Sequence, residues 1–127
     1  MNHQATFEIV QDGEICIVRI AGRLATGADD DYMRAKAIEI KGLPCGKLVV
    51  DISQLDSTGS TGLGFFVDLF SWITKRTPQG FVLAGPSPRV MEVLKLTGIS
   101  GILQITQDLE GALALLSRGA EKARSAG

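Results

Sequence analysis

The sequence predicts an α/β fold: one domain with a mixed, mainly parallel sheet of about five strands and about four helices. Three observations lead there. After an opening pair of β-rich runs, short apolar runs alternate with stretches of helical periodicity, the order that builds parallel sheets through right-handed crossovers. The run Lys47-Leu48-Val49-Val50-Asp51 is almost continuously apolar, as expected of a strand covered on both faces. Finally, 127 residues with 45% hydrophobic and 21% charged side chains suffice for one core and leave no room for a second.

Taken in order, residues 6–10 and 15–21 read as a hairpin whose turn falls at Asp12-Gly13. A helix follows. It starts at the acidic run Asp29-Asp30-Asp31, places Tyr32, Met33, Ala37 and Ile40 at helical spacing and stops near Gly42. The three carboxylates complement the helix dipole and read as a solvated cap. They are a poor metal cluster, because consecutive helical side chains diverge. The strand at 47–51 leads into a polar loop over 53–62, and the apolar segment 63–76 forms the second helix. A short strand at 80–84 is followed by Ser87-Pro88, a cap residue with proline at the first helical position, which opens a third helix ending near Gly98. Residues 102–105 form the last strand. Leu109, Ala112, Leu113 and Leu116 mark one face of a fourth helix. The domain is expected to span 1–118, with a frayed tail at 119–127.

Composition removes several function classes. Thirteen Lys and Arg against 14 Asp and Glu give a formal charge of −1, without the basic cluster that nucleic-acid binding requires. No apolar run approaches the ~20 residues that span a bilayer, and the polar start Met1-Asn2-His3-Gln4 is unlike a signal peptide. A cytoplasmic location is the expectation. Cys16 and Cys45 lie far apart and outside any CxxC pair, so they read as a buried small hydrophobe and a loop thiol, with no metal site. The single histidine is His3, near the terminus, which disfavours hydrolase mechanisms that need an imidazole base.

Chemistry, if any, belongs beyond the carboxyl end of the central strand, where open α/β sheets gather their sites. There Ser53, Ser57, Thr58, Ser60 and Thr61 meet Gly59, Gly62 and Gly64 ahead of a helix. Hydroxyls and accessible amides at a helix N-terminus can bind an anion or receive a covalent phosphate. The residues alone leave two readings open, a functional loop or a helix cap with a Gly-rich turn. No Lys-Ser or Lys-Thr follows the glycines as in a P-loop, the dinucleotide spacing is absent, and no Gly-x-Ser-x-Gly elbow occurs.

Asp51-Ile52-Ser53, then Gly59-Ser60-Thr61-Gly62 followed by Leu63-Gly64 and an apolar helix, resembles the signature of STAS domains, in particular bacterial anti-sigma factor antagonists. Val18-Arg19-Ile20-Ala21-Gly22-Arg23-Leu24 is similar to that family's second strand and Gly-x-Leu turn. Gly85-Pro86-Ser87-Pro88-Arg89-Val90 with Leu94, Thr97, Gly98 and Ile99 is similar to its third helix and the turn beyond. The resemblance implies a non-enzymatic binding protein without a cofactor of its own. An anti-sigma factor kinase, using ATP and Mg²⁺, would phosphorylate the hydroxyl residue before the glycine, which matches Thr61. Ser60, Ser57 and Thr58 are secondary candidates. The unphosphorylated form would bind the anti-sigma factor and free the sigma factor, thereby regulating transcription, and a phosphatase would restore it. The family usually has acidic residues where this chain has Ala25 and Gly59, and Asp56 is a substitute on the loop. Those departures suit the alternative, a constitutive STAS scaffold in a signalling or lipid-transport assembly. An enzyme or small-ligand domain using the Gly-rich crevice is the third reading, and it lacks a placed base, lysine or metal cluster.

The second helix carries two apolar stripes. Leu63, Phe66, Val67, Phe70 and Thr74 share one face, and Phe65, Leu69 and Trp72 fall on roughly the opposite one. The second stripe either packs beneath the third helix or forms an exposed patch where a partner or a second copy of the chain would dock. On the docking reading the partner surface comprises Asp56, Ser60, Gly62, Leu63, Phe65, Leu69 and Trp72.

Overall fold

The computed structural model describes residues 5–24 and 30–126, with side chains to residue 117. Its elements run β1 (Ala5–Asp12), β2 (Ile15–Leu24), α1 (Asp30–Lys41), β3 (Lys47–Thr58), α2 (Ser60–Thr74), β4 (Phe81–Ala84), α3 (Pro88–Leu96), a 3-10 turn (Ile99–Gly101), β5 (Gln104–Thr106) and α4 (Leu109–Ala126). The five strands lie side by side in sequence order. The hairpin β1·β2 is antiparallel and every later pairing is parallel. Gly13, at φ 62, supplies the left-handed residue of the hairpin turn.

Alternation along the strands splits the apolar residues into two cores. Val18 and Ile20 of β2, Leu48, Val50 and Ile52 of β3, and Phe81 and Leu83 of β4 face α1, α2 and α3. Ile17, Val49, Val82 and Ala84 face Ala112 and Leu116 of α4 on the other side. Leu48, Val49 and Val50 are all fully buried, in agreement with the two-sided covering expected of this strand. Because α4 packs on β3, β4 and β5, the outer part of the same face is open. There Arg19 bridges Glu8 at 3.2 Å and Asp51 at 3.7 Å, beside a groove of about 450 Å³.

Four expectations need correction. The polar loop expected over 53–62 is mostly strand, since β3 continues to Thr58 by pairing with Ala21–Leu24 of β2 through two register shifts. Interstrand pairing overrides a weak local signal here. α2 begins at Ser60, because the Leu63 amide already bonds the Gly59 carbonyl at 3.1 Å. β5 begins at Gln104, because the amides of Ile102 and Leu103 are spent on the Ile99 carbonyl of the 3-10 turn. α4 spans Leu109–Ala126.

The cysteines are the fourth correction. Cys16 and Cys45 form a disulfide with Cα atoms 5.7 Å apart, so neither is a free thiol. The parallel register explains why: Cys16 pairs with Leu48, which brings the turn before β3 alongside β2. The expectations on His3 and Ala25 lie outside the described residues.

α3 forms as expected. Ser87 Oγ accepts the Val90 amide at 3.2 Å, Pro88 follows, and Gly98 at φ 80 ends the segment.

Candidate functional site

The N-terminal turn of α2 is held against the ends of two strands. The Gly59 amide donates to the Leu24 carbonyl of β2 at 2.8 Å. Gly62 then passes so close to the sheet that a Cβ there would collide with Thr58 Oγ1 and stand 2.9 Å from Leu24 Cδ1. Only glycine fits this approach, which accounts for the residue after Thr61. Thr58 is wedged beneath the turn, its hydroxyl 3.2 Å from the Gly59 carbonyl. Ser57 pairs with Arg23 at the strand end. Ser60 is exposed and Thr61 half-buried.

No side chain caps α2, and its first turn holds no acidic residue. The charge beside it comes from α1 instead. Thr61 Oγ1 donates to Asp30 Oδ1 at 3.0 Å. The acidic run expected to be a solvated cap thus delivers one carboxylate to the hydroxyl, while Asp31 pairs with Arg34 at 3.4 Å and Asp29 lies outside the described residues. Asp56, expected as the substitute acid, is exposed on β3. Sequence reasoning missed Asp30 because the contact joins residues 31 apart.

An aromatic cluster fixes this juxtaposition. The Phe7 ring of β1 meets Tyr32 of α1 edge-on at 5.6 Å and Phe65 of α2 at 5.7 Å. Farther along, Lys41 at the end of α1 binds Asp68 of α2 at 2.8 Å. Between these two clasps runs a groove of about 310 Å³ whose lining includes Asp30, Arg34, Thr61 and Asp68.

The predicted docking stripe on α2 has a different fate. Phe65 and Leu69 are 6% and 0% exposed in the core, Phe65 against the Phe7 ring of β1, and so form no surface patch. Phe66 and Ile73 are fully buried as well, so α2 is buried over a broad arc, and Phe70 meets Phe81 of β4 edge-on at 5.9 Å. Trp72 and Leu63 are half-buried, with the Arg76 guanidinium 5.2 Å from the Trp72 ring centre. Among the described residues no helix is long and apolar enough to cross a membrane.

The chain is similar to several known proteins. An anti-sigma-B factor antagonist of Listeria monocytogenes is 35% identical over 66 residues, which cover 52% of this chain and 56% of that protein. The chain therefore matches little more than half the length of this relative. The crystal structure of an anti-sigma factor antagonist from Mycobacterium paratuberculosis superposes with a TM-score of 0.72 at 21% identity, covering 89% of this chain and 94% of the other. The anti-sigma factor antagonist SpoIIAA in its unphosphorylated form gives a TM-score of 0.70 at 20% identity, covering 90% and 97%. The Bacillus cell fate determinant SpoIIAA has also been solved in the phosphorylated form, which matches at 0.63 and 19%, covering 87% and 99%. At these identities the structural likeness speaks for the fold. The family model described as the STAS domain matches residues 6–112, and with the sheet order and helix placement above this chain belongs to the STAS domain family.

Proposed function

We propose that this chain is an anti-sigma factor antagonist switched by phosphorylation at Thr61. The carrying observation is the Thr61 hydroxyl itself, presented on the first turn of α2, directly before the close-packed Gly62 and hydrogen-bonded to Asp30. The names of the relatives and the paired forms of SpoIIAA support the same reading. The chain is a substrate and a binding partner rather than an enzyme. Its unphosphorylated form binds an anti-sigma factor kinase and so releases a sigma factor.

In the switching step, the γ-phosphoryl group of ATP, with Mg²⁺ held by the kinase, forms the Oγ1–P bond. ADP leaves and the hydroxyl proton is lost. The phosphate brings about −1.5 to −2 charges and three acceptor oxygens. The positive end of the α2 dipole favours it on the free protein, whereas burying it in a fitted interface is costly. A phosphatase reverses the step. The contact surface is the rim of the turn, the exposed Ser60 and Asp56 with the half-buried Thr61 and Leu63, extended by the half-buried Trp72.

The test is intact mass and site mapping after incubation with candidate anti-sigma kinases and Mg-ATP, beside Thr61→Ala. One phosphate on the wild type, absent from the variant, with loss of kinase binding afterwards, is expected. A stable complex without any phosphate would replace this reading by a constitutive scaffold.

A further inference from the structure

Helix α1 places two charges of opposite sign next to Thr61. Asp30 accepts the hydroxyl's hydrogen bond at 3.0 Å, and Arg34, one turn later on the same face, lines the same groove. Arg34 has a weakly held partner. Its contact with Asp31 is 3.4 Å long, with the two side chains 72% and 99% exposed, a type of pair that water and salt largely neutralise. Neighbouring cations are more firmly engaged. Lys41 reaches both oxygens of Asp68, at 2.9 and 2.8 Å, and Lys36 donates to Glu39 at 3.3 Å and lies 5.6 Å from the Tyr32 ring centre.

Esterifying Oγ1 removes the proton that Thr61 now donates to Asp30. What remains is a phosphate facing a carboxylate, so the attraction between α1 and α2 at this point becomes a repulsion. We propose that phosphorylation of Thr61 re-pairs α1: the phosphate leaves Asp30 and is taken by Arg34, which gives up Asp31 for a dianion matched to its planar fork of donors. The charged groups facing the new phosphate are then Asp30, Asp31, Arg34 and, farther along the groove, Asp68 with Lys41. The phosphorylated state is thereby written on the exposed surface of α1 as well as on the first turn of α2. This inference rests on Thr61 being the modified residue.

The test encodes phosphothreonine at position 61 during synthesis of the full chain, so it needs no kinase. The second ionisation of the phosphate is followed by ³¹P NMR in the otherwise wild-type protein and in Arg34→Ala, Arg34→Lys and Asp30→Asn. Losing Arg34 raises the apparent ionisation by about half a pH unit, roughly threefold in the constant, and losing the Asp30 charge lowers it. Arg34→Lys retains part of the effect. Amide resonances of residues 30–34 move between the unmodified and phosphorylated wild type, and move less in Arg34→Ala. A titration unaltered by Arg34→Ala in a protein whose spectra remain folded would overturn the proposal. Failure of every kinase to modify Thr61 would instead remove the functional reading, while the encoded phosphothreonine still decides the re-pairing.

Discussion

Gly62 of α2 lies against Leu24 of β2 at a separation that leaves no room for a methyl group, the would-be Cβ standing 2.9 Å from Leu24 Cδ1 and 3.0 Å from its Cβ. The neighbours are a strand end and the Thr58 side chain, which has little freedom to retreat. Gly62→Ala is therefore expected to destabilise the fold by about 1–3 kcal/mol through overpacking. It should also displace the first turn of α2 and slow modification of Thr61. Urea unfolding and a phosphorylation time course on the same preparation check both effects. A variant of unchanged stability would show that the turn moves outward freely.

The Cys16–Cys45 bridge closes a loop with a sequence separation of 29. Holding the unfolded chain in such a loop stabilises the native state by roughly 3–4 kcal/mol in the chain-entropy treatment. The purified protein should show no reactive thiols under denaturing conditions without reductant. Adding reductant, or substituting both cysteines by serine, should lower the urea midpoint by an amount corresponding to that loss. Free thiols in protein prepared without reductant would contradict the bridge.

Phe65 is the anchor of the ring cluster that joins β1, α1 and α2. Phe65→Ala should cost about 3–5 kcal/mol. It should also loosen the α1–α2 juxtaposition, weakening partner binding only as a consequence of unfolding. Half-buried Trp72 should behave in the opposite way, with Trp72→Ala giving a smaller loss of stability and a direct loss of partner affinity. Calorimetric titration of folded variants separates the two roles. Tight binding by a folded Trp72→Ala protein would take Trp72 out of the partner surface.

Among the described residues Asp51 is the one buried polar or charged side chain, and its Oδ1 accepts the Ser53 amide at 3.0 Å. Its other oxygen meets Arg19, whose side chain is half-exposed. Asp51→Ala strands the Ser53 amide and should cost about 1–3 kcal/mol. Asp51→Asn retains an acceptor for that amide and should cost less. Glu8→Ala, which removes only an exposed pair with Arg19, should change stability by roughly 0–1 kcal/mol. Equal losses for Asp51→Asn and Asp51→Ala would show that charge, not the hydrogen bond, is what matters there.

Much of the fold was legible because each element announces itself locally. The hairpin turn at Gly13, the Ser87-Pro88 cap and the fully apolar β3 start all carry short-range signals, and their order alone implies a mainly parallel sheet. The candidate turn was legible from Gly59 to Gly64, since glycine and hydroxyl residues mark a helix start. What was not legible depends on distant pairings. Ser53–Thr58 has only Leu55 as a buried apolar residue, so its strand character arises from β2. The disulfide follows from the β2·β3 register, and Asp30 becomes part of the site only after α1 crosses over the sheet to lie beside α2. The burial of Phe65 likewise depends on Phe7 of β1, which no helical wheel of α2 contains.

The strand order follows the chain, each new strand docking beside the one made just before it. No strand has to wait for, or be inserted between, partners synthesised later. The sheet can therefore grow from one edge as the polypeptide leaves the ribosome, each parallel strand being added through one crossover segment to the strand just before it. The partners of the Thr61 turn on β2 and β3, Leu24 and Thr58, both precede it in the chain, so its footing is in place before β4 and β5 are made.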